Sequence, residues 1–236
     1  MILKTEVIPL EFKRLTLFAG HYGSGKTNIA VNYALLLREQ GLPVTVADLD
    51  IVNPYFRTLD SEAVFREHGI KLICSQFANS NVDAPAMPKE VYNIIDSRTE
   101  YGVLDIGGDD RGALALGRYV PSIIEENDYE MLLVINKARP LTRNAEDTLE
   151  VASEMVSACK LPFTGIVNNT NLGPETTEED VISSMAYAEE VSIALGIPIK
   201  MTCCDIKLYE KLKDRVPNLF PLSLQKLYYH LNTEVS

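Results

Sequence analysis

Basic residues are scarce in this 236-residue chain, where 22 Lys and Arg face 33 Asp and Glu for a formal net charge of −11. DNA and anionic membranes present negative surfaces, so no nucleic-acid partner and no stable membrane association are expected. The argument concerns the average charge, and a local basic patch escapes it. Long apolar runs are missing as well. No stretch approaches the roughly 18 consecutive apolar residues that a bilayer-crossing helix requires. Met1 to Lys13 carries Glu6, Pro9 and Glu11 among its apolar residues and lacks the pattern of a signal peptide. Cysteine is sparse, at Cys74, Cys159, Cys203 and Cys204, with no CxxC spacing. Adjacent Cys203 and Cys204 do not easily bridge each other, so neither a disulfide framework nor a zinc site is indicated. Reduced thiols in a cytoplasmic protein are the expectation. Internal repeats, low-complexity tracts and Gly/Ser linkers are absent too, which predicts a single domain over residues 1–236.

What remains is an ordinary globular composition, 46% apolar and 23% charged. Short β-rich apolar runs alternate with longer helical stretches. Strands are predicted at Leu15 to Ala19, Pro43 to Ala47, Ile70 to Ser75, Val103 to Ile106, Met131 to Ile135, Phe163 to Asn168 and Ile197 to Thr202. Helices are predicted over Lys26 to Glu39, ended by Gly41, over Ser61 to His68, and near 88–98, 112–126, 142–159 and 177–195. Strands apolar on both faces and separated by helices imply a mostly parallel sheet of about seven strands covered on both sides, a three-layer α/β domain. In such sheets ligands bind at the carboxyl ends of the strands.

Directly after the first strand comes Gly20-His21-Tyr22-Gly23-Ser24-Gly25-Lys26-Thr27, which fits GxxxxGK[ST] between a strand and a helix. Such glycines permit a tight turn and bring backbone N–H groups close to phosphate oxygens. Lys26 is expected to reach the β- and γ-phosphates and Thr27 to ligate Mg²⁺, with Asn28 next in the contact set. The helix beginning there adds its positive dipole end. This is the pattern of a P-loop NTPase.

Two further strand ends are acidic. The second closes in Ala47-Asp48-Leu49-Asp50, where a water or a metal would be held. The fourth runs Val103-Leu104-Asp105-Ile106-Gly107-Gly108, a Walker-B pattern in which Asp105 holds Mg²⁺ through its water shell and Gly107 or Gly108 reaches the γ-phosphate by its N–H.

A phosphate loop, an Asp-x-Asp strand end and an Asp-x-Gly-Gly strand end together resemble the deviant-Walker ATPases. These are the SIMIBI class, with the MinD, ParA, CooC and nitrogenase iron-protein families and the CobQ/CobB/MinD/ParA nucleotide-binding domain. The resemblance covers almost the whole chain. It implies a slow ATPase that dimerises around two ATP molecules, with Asp50 orienting the attacking water and Asp48, Asp50 and Asp105 near the metal. The class carries a signature Lys after the first loop glycine, where this sequence has His21. A neutral imidazole donates one hydrogen bond to phosphate and carries a full charge only when protonated. Arg57, Arg111, Arg139 and Arg143 are candidates for the missing charge. Arg111, in the loop after the Walker-B Asp, is the preferred one, against the plain alternative of a surface ion pair.

The base is read as adenine. Ile135-Asn136-Lys137-Ala138-Arg139 resembles the guanine-reading NKxD, but the required Asp is Arg139, which offers no acceptor to guanine N1–H and N2–H₂. Gly165-Ile166-Val167-Asn168-Asn169 resembles the Gly-hydrophobic-hydrophobic-x-Asn signature of the class, in which Asn169 reads the base. Thr202 to Asp205 falls where the class lines its adenine pocket. ATP and Mg²⁺ are therefore the expected cofactors.

The client is harder to name. The loop from Gly107 to Gly112 has no Cys for an iron–sulfur cluster, and no Cys-x-Cys pair exists for nickel. Leu222, Leu224, Leu227, Tyr228 and Leu231 form an apolar stripe, but Lys226 and His230 are the only basic residues of that tail, so it is expected to pack on the domain. Two functions stay open. One is a nucleotide-dependent homodimeric switch or chaperone for a protein client. The other is an ATP-dependent ligase of the amidoligase or dethiobiotin-synthetase type. Ser75 to Met87, with Asn79, Asn81 and Asp83, would line a substrate pocket in the second case or bind a partner in the first.

Overall fold

The computed structural model describes residues 11–49, 58–74, 89–107 and 116–223. Asp50, Asn53, Arg57, Gly108, Arg111, the segment Ser75 to Met87 and the tail from Leu224 onward lie outside the described residues. In chain order the elements are β1 (Leu15–Ala19), α1 (Lys26–Glu39), β2 (Val44–Leu49), α2 (Thr58–His68), β3 (Lys71–Cys74), α3 (Lys89–Ser97), β4 (Tyr101–Ile106) and α4 (Val120–Glu126). There follow β5 (Tyr129–Ile135), α5 (Ala145–Cys159), β6 (Gly165–Asn168), α6 (Glu178–Leu195), β7 (Ile199–Asp205), α7 (Ile206–Leu212) and β8 (Leu219–Leu222).

Among the described residues all eight strands pair in parallel, in the order β3-β2-β4-β1-β5-β6-β7-β8. Parallel strands need covered faces, and alternating side chains of each strand feed two separate cores. Leu15, Leu17, Leu104, Ile106, Leu133 and Ile135 face α3 to α6 through Ile94, Ile123, Ala152 and Val191. Phe18, Val46, Val103, Leu132 and Val134 face the other way, onto Ile29, Tyr33 and Leu37 of α1 and Phe65 of α2. Phe18 and Tyr33 meet edge to face, their ring centroids 5.4 Å apart.

The sheet holds one strand more than the sequence pattern suggested. β8 uses Leu222, which the apolar tail stripe had claimed, and it pairs with Thr202 to Asp205 of β7. Pro221 lacks an N–H for a ladder, and an edge strand tolerates that. β7 itself runs to Asp205 rather than stopping at Thr202. Cys203 and Cys204 are therefore strand residues, one in the core under α1 and the other in a small cluster with Val181, Leu212 and Leu219.

Helix starts are built from local chemistry. Asn144 caps α5 by accepting from the Asp147 N–H, and Thr177 and Asp180 form a capping box at α6. α1 differs: its cap is Gly25, which has no side chain to accept from the first turn, and no acidic residue lies in that turn. Its first-turn N–H groups and positive dipole end lie at the carboxyl edge of the sheet.

Candidate functional site

The loop between β1 and α1 turns on glycines in the left-handed region, Gly20 at φ +156° and Gly25 at φ +93°. Space requires them as much as conformation does. A Cβ on Gly20 would stand 2.4 Å from the carbonyl oxygen of Val134, and one on Gly25 would stand 2.2 Å from the Asn169 amide nitrogen. The turn closes with the Ser24 N–H donating to the His21 carbonyl at 3.1 Å. Lys26 curls back over it, its Nζ donating to the same carbonyl at 3.2 Å, and the residue is only 5% exposed. The Ser24 hydroxyl is fully buried beside Gly20 and makes no hydrogen bond. A buried donor without an acceptor, in a glycine turn that opens a helix, fits an oxyanion ligand. Tyr22 stands out from the loop and is exposed, while His21 turns its Nδ1 to the carbonyl of Tyr22 at 2.8 Å.

The acidic strand ends come together as β2 and β4 pair. Asp48 and Asp105 are register partners on neighbouring strands and both are buried. The Thr27 hydroxyl donates to Asp105 Oδ2 at 2.5 Å, which ties the first turn of α1 to the end of β4. A hydroxyl and a carboxylate oxygen side by side, at the foot of an anion-binding turn, are hard ligands suited to Mg²⁺, which takes one or two protein oxygens and completes its shell with water and phosphate. Among the described residues no cluster of three or more His, Cys, Asp or Glu exists that would hold a metal by protein ligands alone. Cys203 and Cys204 face opposite sides of the sheet, and burial pushes both thiols up, Cys204 to about 12.

On the other side of the loop stand the ends of β5 and β6. The Asn169 amide donates to the Ser24 carbonyl at 2.7 Å, so the residue nominated to read the base is engaged with the phosphate loop itself. Asn168 faces away and donates to Ser184 of α6 at 2.8 Å. Asn28, one residue past Thr27, has its carbonyl bonded to the Asn32 amide at 2.8 Å. Asn32 also exchanges hydrogen bonds with the backbone of Ser223, which pins the exit of β8 to α1.

In the sequence, Asn136 belongs only to an incomplete base motif. In the fold it organises the whole turn. Its Oδ1 accepts from the N–H of Ala138 at 3.0 Å and of Asn171 at 3.4 Å, and its carbonyl accepts from the Thr142 hydroxyl at 2.7 Å. The turn carries Arg139, whose Nε donates to the Gly23 carbonyl at 2.9 Å. A strand-end Asn followed by Lys was the available signal; the partner of Arg139 was not legible from local sequence. Arg143, by contrast, pairs with Asp147.

With this geometry in hand, comparison with known proteins gives a fold and no family. No family model matches the sequence, and no curated protein matches it. Solved structures do match. Cell division protein FtsY from Thermotoga maritima superposes with a TM-score of 0.56 at 18% identity, over 85% of this chain and 65% of that one. FtsY from Mycoplasma mycoides gives 0.53 at 21% identity, over 83% and 62%. Signal recognition particle receptor FtsY from Elizabethkingia anophelis in complex with GDP gives 0.50 at 14% identity, over 82% and 58%. The chain thus spans less than two thirds of the length of the structures it matches. It has the three-layer P-loop NTPase fold. Likeness at this identity carries the fold alone. Among the described residues no helix is long and apolar enough to cross a membrane.

Proposed function

We propose that this chain is a Mg²⁺-dependent ATP-binding protein and slow ATPase, working as a nucleotide-dependent homodimeric switch or chaperone for a protein client. The observation that carries the reading is the bond from Thr27 to Asp105, 2.5 Å long, at the foot of a helix whose first turn has no side-chain cap. It joins a hydroxyl and a carboxylate suited to Mg²⁺ to a turn suited to phosphate. Bound Mg²⁺ would supply charge neutralisation between the β- and γ-phosphates.

The chain's own residues divide the remaining work. The loop N–H groups from Gly20 to Thr27 and the Ser24 hydroxyl cradle phosphate oxygens. Lys26 exchanges its carbonyl contact for a phosphate. With Mg²⁺ bound, Asp48 and Asp105 would hold it through its water shell, and Asp50 would orient the attacking water. Gly108 and Arg111 complete the γ-phosphate side. Adenine is favoured over guanine because the residue that would need to be a carboxylate acceptor in the turn after β5 is Arg139. One matched structure is described with GDP, so both bases belong in the test.

The deciding experiment is calorimetric titration of ATP, GTP and their diphosphates with Mg²⁺, paired with light scattering of the eluting protein. The expected outcome is tighter binding of ATP than GTP, basal hydrolysis without added substrate, and a dimer with ATP that is lost with ADP. Tighter GTP binding would reverse the base assignment and leave the phosphate site standing. Turnover only after a carboxylate and an amine are supplied would replace the switch with a ligase. Undiminished ATP binding by Lys26→Ala would remove the site altogether.

A further inference from the structure

We propose that Arg139 is a second phosphate-binding cation of this site, held on the phosphate loop from the turn after β5. The inference rests on the nucleotide-site reading above, and three observations carry it.

The first is rigidity. The backbone of Arg139 is fixed on both sides, its N–H donating to the Asn136 carbonyl at 3.0 Å and its carbonyl accepting from the Thr142 N–H at 3.1 Å. Lys137 N–H donates to the Thr170 hydroxyl at 3.1 Å, which ties the same turn to the end of β6. The side chain therefore leaves a fixed platform.

The second is contact. Arg139 Nε donates to the Gly23 carbonyl at 2.9 Å, and the place a Cβ would take on Gly23 lies 3.6 Å from Nε, 3.8 Å from Cζ and 3.9 Å from Cδ. The guanidinium lies beside the side of Gly23 that carries no side chain, three residues before Lys26. Gly23 itself has φ +77°, so its backbone conformation suits glycine, whereas a Cβ there would meet the guanidinium only at ordinary contact distance.

The third is charge. Guanidinium carries five N–H donors, and the carbonyl of Gly23 takes one of them. No carboxylate of the described residues forms an ion pair with Arg139, although Arg143 four positions on has Asp147 and Arg66 has Glu62. In a chain of net charge −11, an exposed cation with no ion-pair partner among the described residues is thus fastened directly to the phosphate loop. A neutral carbonyl holds the plane in place without cancelling its charge. The remaining N–H groups present a planar donor array of the kind that binds phosphate in bidentate fashion.

Loop bracing alone would produce the same Gly23 contact, so the test separates charge from bracing. Arg139→Gln keeps an N–H donor for Gly23 and removes the charge; Arg139→Lys keeps the charge. ATP with Mg²⁺ is titrated into both variants, into Lys26→Ala and into the parent, at low and high salt. Arg139→Gln is expected to bind ATP about tenfold more weakly or worse, with a flatter salt dependence, and Arg139→Lys to stay within about threefold of the parent. Thermal unfolding of each variant controls for folding. If Arg139→Gln binds as the parent does while Lys26→Ala does not, the Arg139 proposal is overturned and the nucleotide site stands. If Arg139→Lys is as weak as Arg139→Gln, charge is not what acts and the proposal is likewise overturned. Undiminished binding by Lys26→Ala would instead bring down the nucleotide-site reading on which this one rests.

Discussion

The side-chain amide of Asn169 donates to the main-chain carbonyl of Ser24 at 2.7 Å, joining residues 145 positions apart. The same nitrogen fills the space beside Gly25. The phosphate loop is therefore shaped from both sides of its own strand, by β4 through Asp105 and by β6 through Asn169.

Gly25→Ala follows directly from that contact. A Cβ there meets Asn169 at 2.2 Å and forces φ +93° on an L-residue. The left-handed conformation alone costs about 1–2 kcal/mol, and the clash adds to it. ATP binding is expected to be lost and the urea midpoint to fall. Adding Asn169→Ala should recover part of the stability and none of the binding. Full recovery of binding in the double variant would show that the loop conformation is not what ATP needs.

Asp105→Asn keeps the shape of the side chain and an acceptor for Thr27 while removing the charge. Chelation of Mg²⁺ should weaken ATP binding to the parent by about tenfold or more, and to Asp105→Asn by no more than about twofold. Calorimetry with and without chelator measures both. An unchanged Mg²⁺ effect in the variant would move the metal away from Asp105.

At the opposite end of the sheet, Arg14 forms a buried double contact with Glu126, the side chains being 7% and 10% exposed. Arg14 also donates to the carbonyls of Ile94, Ile95 and Glu100. Removing one partner of a buried pair strands the other charge, so Glu126→Gln should cost about 3 kcal/mol or more in urea unfolding. ATP affinity should not change, because the pair lies at the amino ends of the strands. A loss below about 1 kcal/mol would mean that water reaches Arg14.

Alkaline pH offers a fourth test. Burial raises Cys204 from 9.0 to about 12, and burial raises Tyr187 from 10.0 to about 12. The unfolded chain loses these protons first, so above pH 9 it binds fewer protons than the folded one and stability falls as pH rises. The contribution is fully present below about pH 9 and declines toward pH 12, with a slope of up to about 1.4 kcal/mol per pH unit for each group. Urea midpoints should be flat between about pH 7 and 9 and drop between about 9.5 and 11. A flat profile throughout would mean that these groups ionise in the folded protein.

Local sequence carried much of this architecture. β1 and α1 have the bounds that their apolar run, Gly20 and Gly41 suggest, because each element ends at a residue that breaks it. β8 escaped because four residues containing a proline look like the start of the apolar stripe that runs on from Leu222. β7 was cut short at Thr202 because the Cys-Cys-Asp that follows has no helical or strand period of its own; two cores, one on each face, make it a strand. In the site, the loop and the acidic strand ends were legible as motifs. The contacts from Asn169 to Ser24 and from Arg139 to Gly23 were not, since they depend on β5 and then β6 lying in turn on one side of β1. Asp50, Gly108 and Arg111 lie outside the described residues, and their roles stay proposals.

The place of β1 in the strand order bears on how the protein is made. It is flanked by β4 and β5, so β1, which precedes both in the chain, waits for both of its neighbours before it has a complete ladder. The loop it carries then waits longer, for Asn169 to arrive from the end of β6. Pairings this distant along the chain form slowly and late. Ribosome-bound chains stopped before residue 169 should therefore fail to retain ATP, and chains extended past β8 should retain it: nucleotide capture would report the arrival of β6 and the residue that follows it.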